Sequence, residues 1–230
     1  MSILENFIQD ASAYISQYDT NNYIRWLELA QHYGVPTRLL DWTENALVAL
    51  YFACESNKNC DAVVWMLHKN NYLKCVEIRD QNRKNQHQTN EEAIMDLLIA
   101  SKNNDMNNAS LYEWPIIYTP YYFDHRMSAQ VSWFMSWGKN RTPLEDLIED
   151  TDYMENISST AEVQQSGGVQ NSQFIFRFFI RPSDKQRIMR QLDYIGIHAK
   201  TLFPGLDGIG KHIERAYRFN YYEACDHLFL

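Results

Sequence analysis

Glycine is scarce in this chain, 8 in 230 residues, about half the usual ~7%. A Gly-rich phosphate cradle has little to be built from, and the sequence holds no P-loop, no G-x-S-x-G elbow, no H-E-x-x-H and no paired C-x-x-C. Cysteine is equally thin. Cys54, Cys60, Cys75 and Cys225 are scattered, with no pair at the short spacing of a zinc knuckle or a thioredoxin-type motif, so four reduced thiols are expected. The 7 histidines do not gather at ligand spacings. His32, His125 and His198 read as hydrogen-bonded packing residues, and no metal is expected, because a mononuclear centre needs several convergent ligands. Positive charge is in deficit: 21 Lys and Arg face 29 Asp and Glu, a formal net charge of −8. That argues against a phosphate-tracking nucleic-acid binder, whose footprint is basic. The longest apolar run, Ala46–Cys54, has nine residues, far short of the roughly 20 that span a bilayer. The opening residues, MSILENFIQD, lack a basic stretch leading into an apolar core. No secretory signal is therefore expected, and the chain reads as cytoplasmic, with neither nucleic acid nor membrane as partner.

What the chain does have is core-building mass. Apolar residues make up 45% and charged residues 22%, and there are 15 Tyr, 11 Phe and 6 Trp, ample for a core and a pocket. Leu4, Phe7, Ile8, Ala11, Tyr14 and Ile15 follow helical spacing over the first seventeen residues. A second helix is predicted from about Asn22 to Tyr33, stopped by Gly34 and barred from continuing by Pro36. Asp41-Trp-Thr-Glu44 has the form of a capping box before Ala46–Glu55, a helix apolar on nearly every side and so expected to be central. Asp61–Leu67 and Tyr72–Ile78 read as a hairpin turning at Lys69–Asn71. Pro115–Thr119, Arg126–Trp133 and Gln173–Ile180 read as further strands. Helices are expected to open at Thr89–Glu92 and Thr142–Glu145 and to cover Ser183–Leu192 and Asp207–Phe219. The cluster Gly205-Leu-Asp-Gly208-Ile-Gly210 reads as a turn. Asp80–Asn90, Ser101–Ser110 and Thr151–Asn171 read as loops. The sum is an α+β fold in a single domain, a small mixed or antiparallel sheet flanked by helices.

One stretch stands out for chemistry: Leu29-Ala-Gln-His-Tyr-Gly-Val-Pro-Thr-Arg-Leu-Leu-Asp-Trp-Thr43, running directly into Ala46–Ala53. It sets Gln31, His32, Tyr33, Thr37, Arg38, Asp41, Trp42 and Tyr51 close together along the chain. Two readings stand side by side. In one, Arg38 and Asp41 pin a loop and Trp42 caps the core. In the other, a planar guanidinium and an aromatic face accept a phosphate-bearing, ring-bearing ligand.

The same residues, LAQHYGVPTRLLDWTENALVALYFA, resemble the signature of the FRG domain family. Tyr118-Thr-Pro, Arg126-Met-Ser-Ala-Gln130 with Phe134, and Ile197 to Gly210 around Leu202-Phe-Pro-Gly-Leu-Asp-Gly208 look similar to later parts of that domain. The resemblance implies a domain over residues 24–216, with an N-terminal helix at 1–23 and an extension at 217–230. The motif that names the family, Phe-Arg-Gly on an early strand, is missing, and Ser132 stands where the family carries glycine. The chain reads as beginning after that strand, and the sheet edge so exposed predicts a homo-oligomer. The family's layout is similar to that of ADP-ribosyltransferases, which implies NAD as substrate and an ADP-ribosyl-transfer or NAD-cleaving activity in a bacterial toxin or anti-phage setting. On that reading Arg38 and Gln130 are the catalytic candidates. Gln31, His32, Tyr33, Thr37, Asp41, Trp42, Tyr51 and Arg126 bind the ligand, with Tyr51 in the aromatic group beside nicotinamide. Gln130 orients a ribose hydroxyl but supplies no negative charge to a cationic transition state. The alternative is therefore a catalytically degenerate module that binds a nucleotide or a protein partner.

Overall fold

The computed structural model describes residues 2–15, 22–73, 94–95, 114–138, 142–148 and 175–218. Eight helices and five strands have defined bounds: α1 Ile3–Ala11, α2 Tyr23–His32, β1 Leu39–Thr43, α3 Ala46–Glu55, β2 Ala62–Leu67, β3 Ile116–Tyr118, α4 His125–Ala129, β4 Ser132–Ser136, α5 Leu144–Ile148, β5 Ile175–Ile180, α6 Pro182–Tyr194, α7 Ala199–Leu202 and α8 Leu206–Arg218. The strands form one sheet in the order β1-β4-β3 and a two-stranded pair of β2 with β5. Helices and small sheets thus mix along the chain as an α+β fold. The described residues fall into two compact units, each built from three separated stretches. The first comprises Met1–Leu40, Met66–Tyr118 and Phe134–Phe176, the second Asp41–Trp65, Thr119–Trp133 and Arg177–Leu230.

In the first unit, a capping box closes the start of α1, with Ser2 accepting from Glu5 N–H and Glu5 reaching back to Ser2 N–H. The helix covers α2 with Phe7 edge-on to the buried Trp26, ring centroids 6.4 Å apart. Asn22 caps α2 by accepting from Ile24 and Arg25 N–H. Its far end is a Schellman turn. Val35 N–H reaches Ala30 O, Gly34 N–H reaches Gln31 O, and Gly34 takes φ +78. A side chain there meets left-handed backbone, so Gly34→Ala is expected to cost about 1–2 kcal/mol in urea unfolding; no loss would mean the turn is not held this way. β3 pairs antiparallel with β4, Ile116 opposite Ser136 and Tyr118 opposite Phe134. The Tyr72 hydroxyl donates to Pro115 O beneath that pair.

In the second unit, α3 packs on α6. Val48, Tyr51 and Cys54 meet Ile180, Met189, Leu192 and Leu202 in one buried cluster. Buried Lys185 of α6 donates to the carbonyls of Ser56 and Asn57 just past the end of α3, each at 3.0 Å. A second Schellman turn ends α6, with Ile197 N–H on Leu192 O, Gly196 N–H on Asp193 O, and Gly196 at φ +82. It feeds α7, which packs on α8.

Several sequence expectations are corrected. Asp41–Thr43 is strand β1, not a cap; Asn45 caps α3 by accepting from Leu47 N–H. The Thr43 hydroxyl holds that junction, donating to Gln130 O at 2.6 Å and accepting from Asn45 N–H. α3 buries one face and leaves Leu47 exposed, so its all-round apolar sequence does not make it central. Residues 69–73 are helical and β2 pairs with β5, so the expected hairpin does not form. Arg126–Trp133 is not one strand: Asp124 accepts from Arg126 N–H and starts α4, and the chain turns at Gln130–Val131 before β4. Only Gly205 serves as a turn residue in its cluster, at φ +143, while Gly208 and Gly210 lie inside α8. The helix expected at Thr89–Glu92, the three loops and the end of Tyr72–Ile78 lie outside the described residues.

Candidate functional site

The Schellman turn after α2 delivers the chain, through Val35 and Pro36, to a groove in the first unit. Thr37, Arg38, Leu39, Leu40, Trp137 and Pro143 line this open hollow of about 310 Å³. Its floor is tied from both sides. The Thr37 hydroxyl donates to Gln31 Oε1 at 2.5 Å and accepts from Leu39 N–H at 3.1 Å. Arg38 is half-buried. Its Nη1 donates to Trp137 O at 3.4 Å, and its carbonyl accepts from Trp137 N–H. The Trp137 indole N–H is fixed on Thr142 O at 3.1 Å. Arg38 and Trp137 line the same open hollow, and a cation with an aromatic residue there suits a planar anion. Of the other residues singled out on this stretch, His32 stacks edge-on against Tyr33, centroids 5.2 Å apart, and Tyr33 itself is exposed.

The remaining expected site residues lie in the second unit. Asp41 is exposed on β1 and Trp42 is half-buried beside it. Tyr51 is 1% exposed and belongs to the core. Its hydroxyl donates to Glu55 Oε1 at 3.3 Å, and burial, followed by the Glu55 charge, pushes its pKa far up. Gln130 caps the end of α4, where its Nε2 donates to Leu202 O at 2.9 Å. Arg126 lays its guanidinium over the Phe203 ring, 4.6 Å from the centroid. Gln130 and Arg126 are thus brought together around the end of α7, each spent on a neighbour.

In the second unit, Asp193 and His212 were missed in the sequence, and His198 was read there only as a packing residue. Asp193 near the end of α6, His198 at the N-cap of α7 and His212 on α8 each present one ligand atom, all within 4.8 Å of one another. The two rings stack with centroids 4.2 Å apart, and His212 Nδ1 lies 3.3 Å from Asp193 Oδ1. Burial, then the neighbouring His212, holds the His198 pKa below its ordinary value. No spacing signal announces this group, since each member comes from a different helix or helix cap.

The FRG domain family model matches residues 1–62. This stretch is similar to FRG domain sequence. Within it lie α1, α2, β1 and α3, and with them Arg38 and every other site residue expected from the sequence except Arg126 and Gln130. The FRG match starts at the first residue, so it takes in α1 as well as the His-Tyr-Gly stretch. No curated protein and no solved structure matches the chain. Among the described residues, no helix is long and apolar enough to cross a membrane.

Proposed function

We propose that this chain is a binding module that holds an anionic, ring-bearing small molecule of the nucleotide class in the Arg38 groove without cleaving it. The observation that carries the reading is Arg38 beside Trp137 in an open hollow of about 310 Å³, near the lower end of the ~300–1,000 Å³ range of small-molecule sites. The refusal of catalysis rests on the other candidates. The Gln130 amide N–H is engaged by a backbone carbonyl and the Tyr51 ring is packed in the core. Neither arrangement suits ribose polarisation or nicotinamide stacking in an NAD-cleaving enzyme.

The test is titration of the full chain with NAD, ADP-ribose and ATP by calorimetry and thermal shift, with free nicotinamide assayed in parallel. At least one of the three should bind saturably and raise Tm, as a ligand of the folded state must. Arg38→Ala should weaken that binding at least about tenfold, the scale of one charge-assisted hydrogen bond of ~1.5–3 kcal/mol, with no nicotinamide released. Unchanged binding in Arg38→Ala would overturn the site. Nicotinamide release that Gln130→Ala abolishes would overturn the non-catalytic reading in favour of NAD cleavage, with the toxin or anti-phage role that goes with it.

A further inference from the structure

We propose that Asp193, His198 and His212 form a site for a first-row transition ion of the zinc class. The three residues converge from the end of α6, the cap of α7 and the body of α8, and their ligand atoms all lie within 4.8 Å of one another. The His212 Nδ1 to Asp193 Oδ1 distance of 3.3 Å already matches the ~3.4 Å edge of a tetrahedron with bonds of about 2.1 Å. Closing the full set needs movements on the order of 1 Å, within reach of side-chain rotation.

The arrangement is built rather than incidental. The Gly196 turn reverses the chain between Asp193 and His198. His198 is oriented by a reciprocal cap, its Nδ1 accepting from Thr201 N–H at 3.3 Å while Thr201 Oγ1 accepts from His198 N–H at 3.2 Å. Nδ1 is thereby occupied, and Nε2 remains as that ring's ligand atom. Gly208 lets α8 press onto α7, which carries His212, one turn further on, to the His198 ring. The side chains of His212 and Asp193 are 17% and 19% exposed, enclosed enough to hold an ion and open enough to admit one.

Donor chemistry selects the ion. Two imidazoles and one carboxylate suit zinc and its neighbours, whereas calcium and magnesium take oxygen ligands and the softest ions take sulfur. Three protein ligands leave a coordination position for water or an outside ligand.

Metal-free protein titrated with cobalt(II) tests this, through the visible d–d bands that cobalt shows in distorted low-coordinate sites. A single equivalent should saturate the bands, and zinc should abolish them. His198→Asn keeps a good helix cap while removing the imidazole; His212→Gln and Asp193→Asn remove the other two ligands. His198→Asn and His212→Gln should each weaken cobalt binding at least about 100-fold and Asp193→Asn at least about tenfold, with circular dichroism confirming the fold. Where His212→Gln fails to fold, His198→Asn decides. No bands at one equivalent, or bands that persist unchanged in a folded His198→Asn protein, would overturn the site. So would a sulfur-to-cobalt charge-transfer band in the near ultraviolet, which would place the ion on a cysteine.

Discussion

Gly208→Ala is expected to destabilise the fold by about 3 kcal/mol, a Tm fall of roughly 6–12 °C for a chain of this size. A methyl group at this position would lie 1.9 Å from Phe203 O and 2.7 Å from Ala199 O. Both atoms are backbone, so no side chain can swing aside to make room. α8 must withdraw from α7, and His212 must leave the His198 ring with it. Gly210 provides the control on the same helix. It is exposed, and a methyl group there meets nothing within 4 Å. Gly210→Ala should therefore gain about 0.5–1 kcal/mol from helix propensity alone. The opposite signs at two helical glycines isolate the close approach from the general penalty of glycine in a helix. Thermal melts of the two variants check it, and a Gly208→Ala protein as stable as the natural chain would mean that α7 and α8 do not pack in this way.

That glycine also shows where a sequence stops being readable. Three glycines within six residues read locally as a turn, because a helix pays about 1 kcal/mol for each relative to alanine. Only the approach of a second helix reverses the judgement for Gly208, and that approach is tertiary information. The longer elements were legible: α2, α3 and α6 stand close to their expected ranges, and Gly34 ends α2 with the positive φ expected of it. The five-residue α4 is too short to show a period, so Arg126–Trp133 reads as a strand, and its Asp124 cap shows only in the structure. The site divides in the same way. Arg38 was visible because its stretch is dense in chemistry-bearing residues and matches a family. Asp193, His198 and His212 meet only through a glycine turn and a helix contact, so nothing in their order along the chain brings them together.

Lys185→Met is expected to cost about 2–3 kcal/mol, although the substitution keeps most of the side-chain volume and removes a charge from an apolar setting. In the sequence Lys185 is an unremarked polar residue of a helix, the kind that normally faces water. In the fold it is 3% exposed, with its ammonium on the carbonyls of Ser56 and Asn57. Those carbonyls stand at the negative end of α3, where a cation is favoured, and Asn57 is held at φ +35 in the turn they belong to. Methionine takes the donor away from both acceptors, and a lost hydrogen bond to a charged group is worth ~1.5–3 kcal/mol. The neighbouring pair Arg187–Asp184 has the same 3.0 Å separation, but its side chains are 64% and 41% exposed. Screening by water holds such a pair to ~0–1 kcal/mol, so Arg187→Ala should change little. Equal distances with unequal effects would show that burial decides the strength of these contacts. Urea unfolding of the two variants measures the difference directly, and a Lys185→Met protein within about 0.5 kcal/mol of the natural chain would mean that the ammonium does not anchor the end of α3.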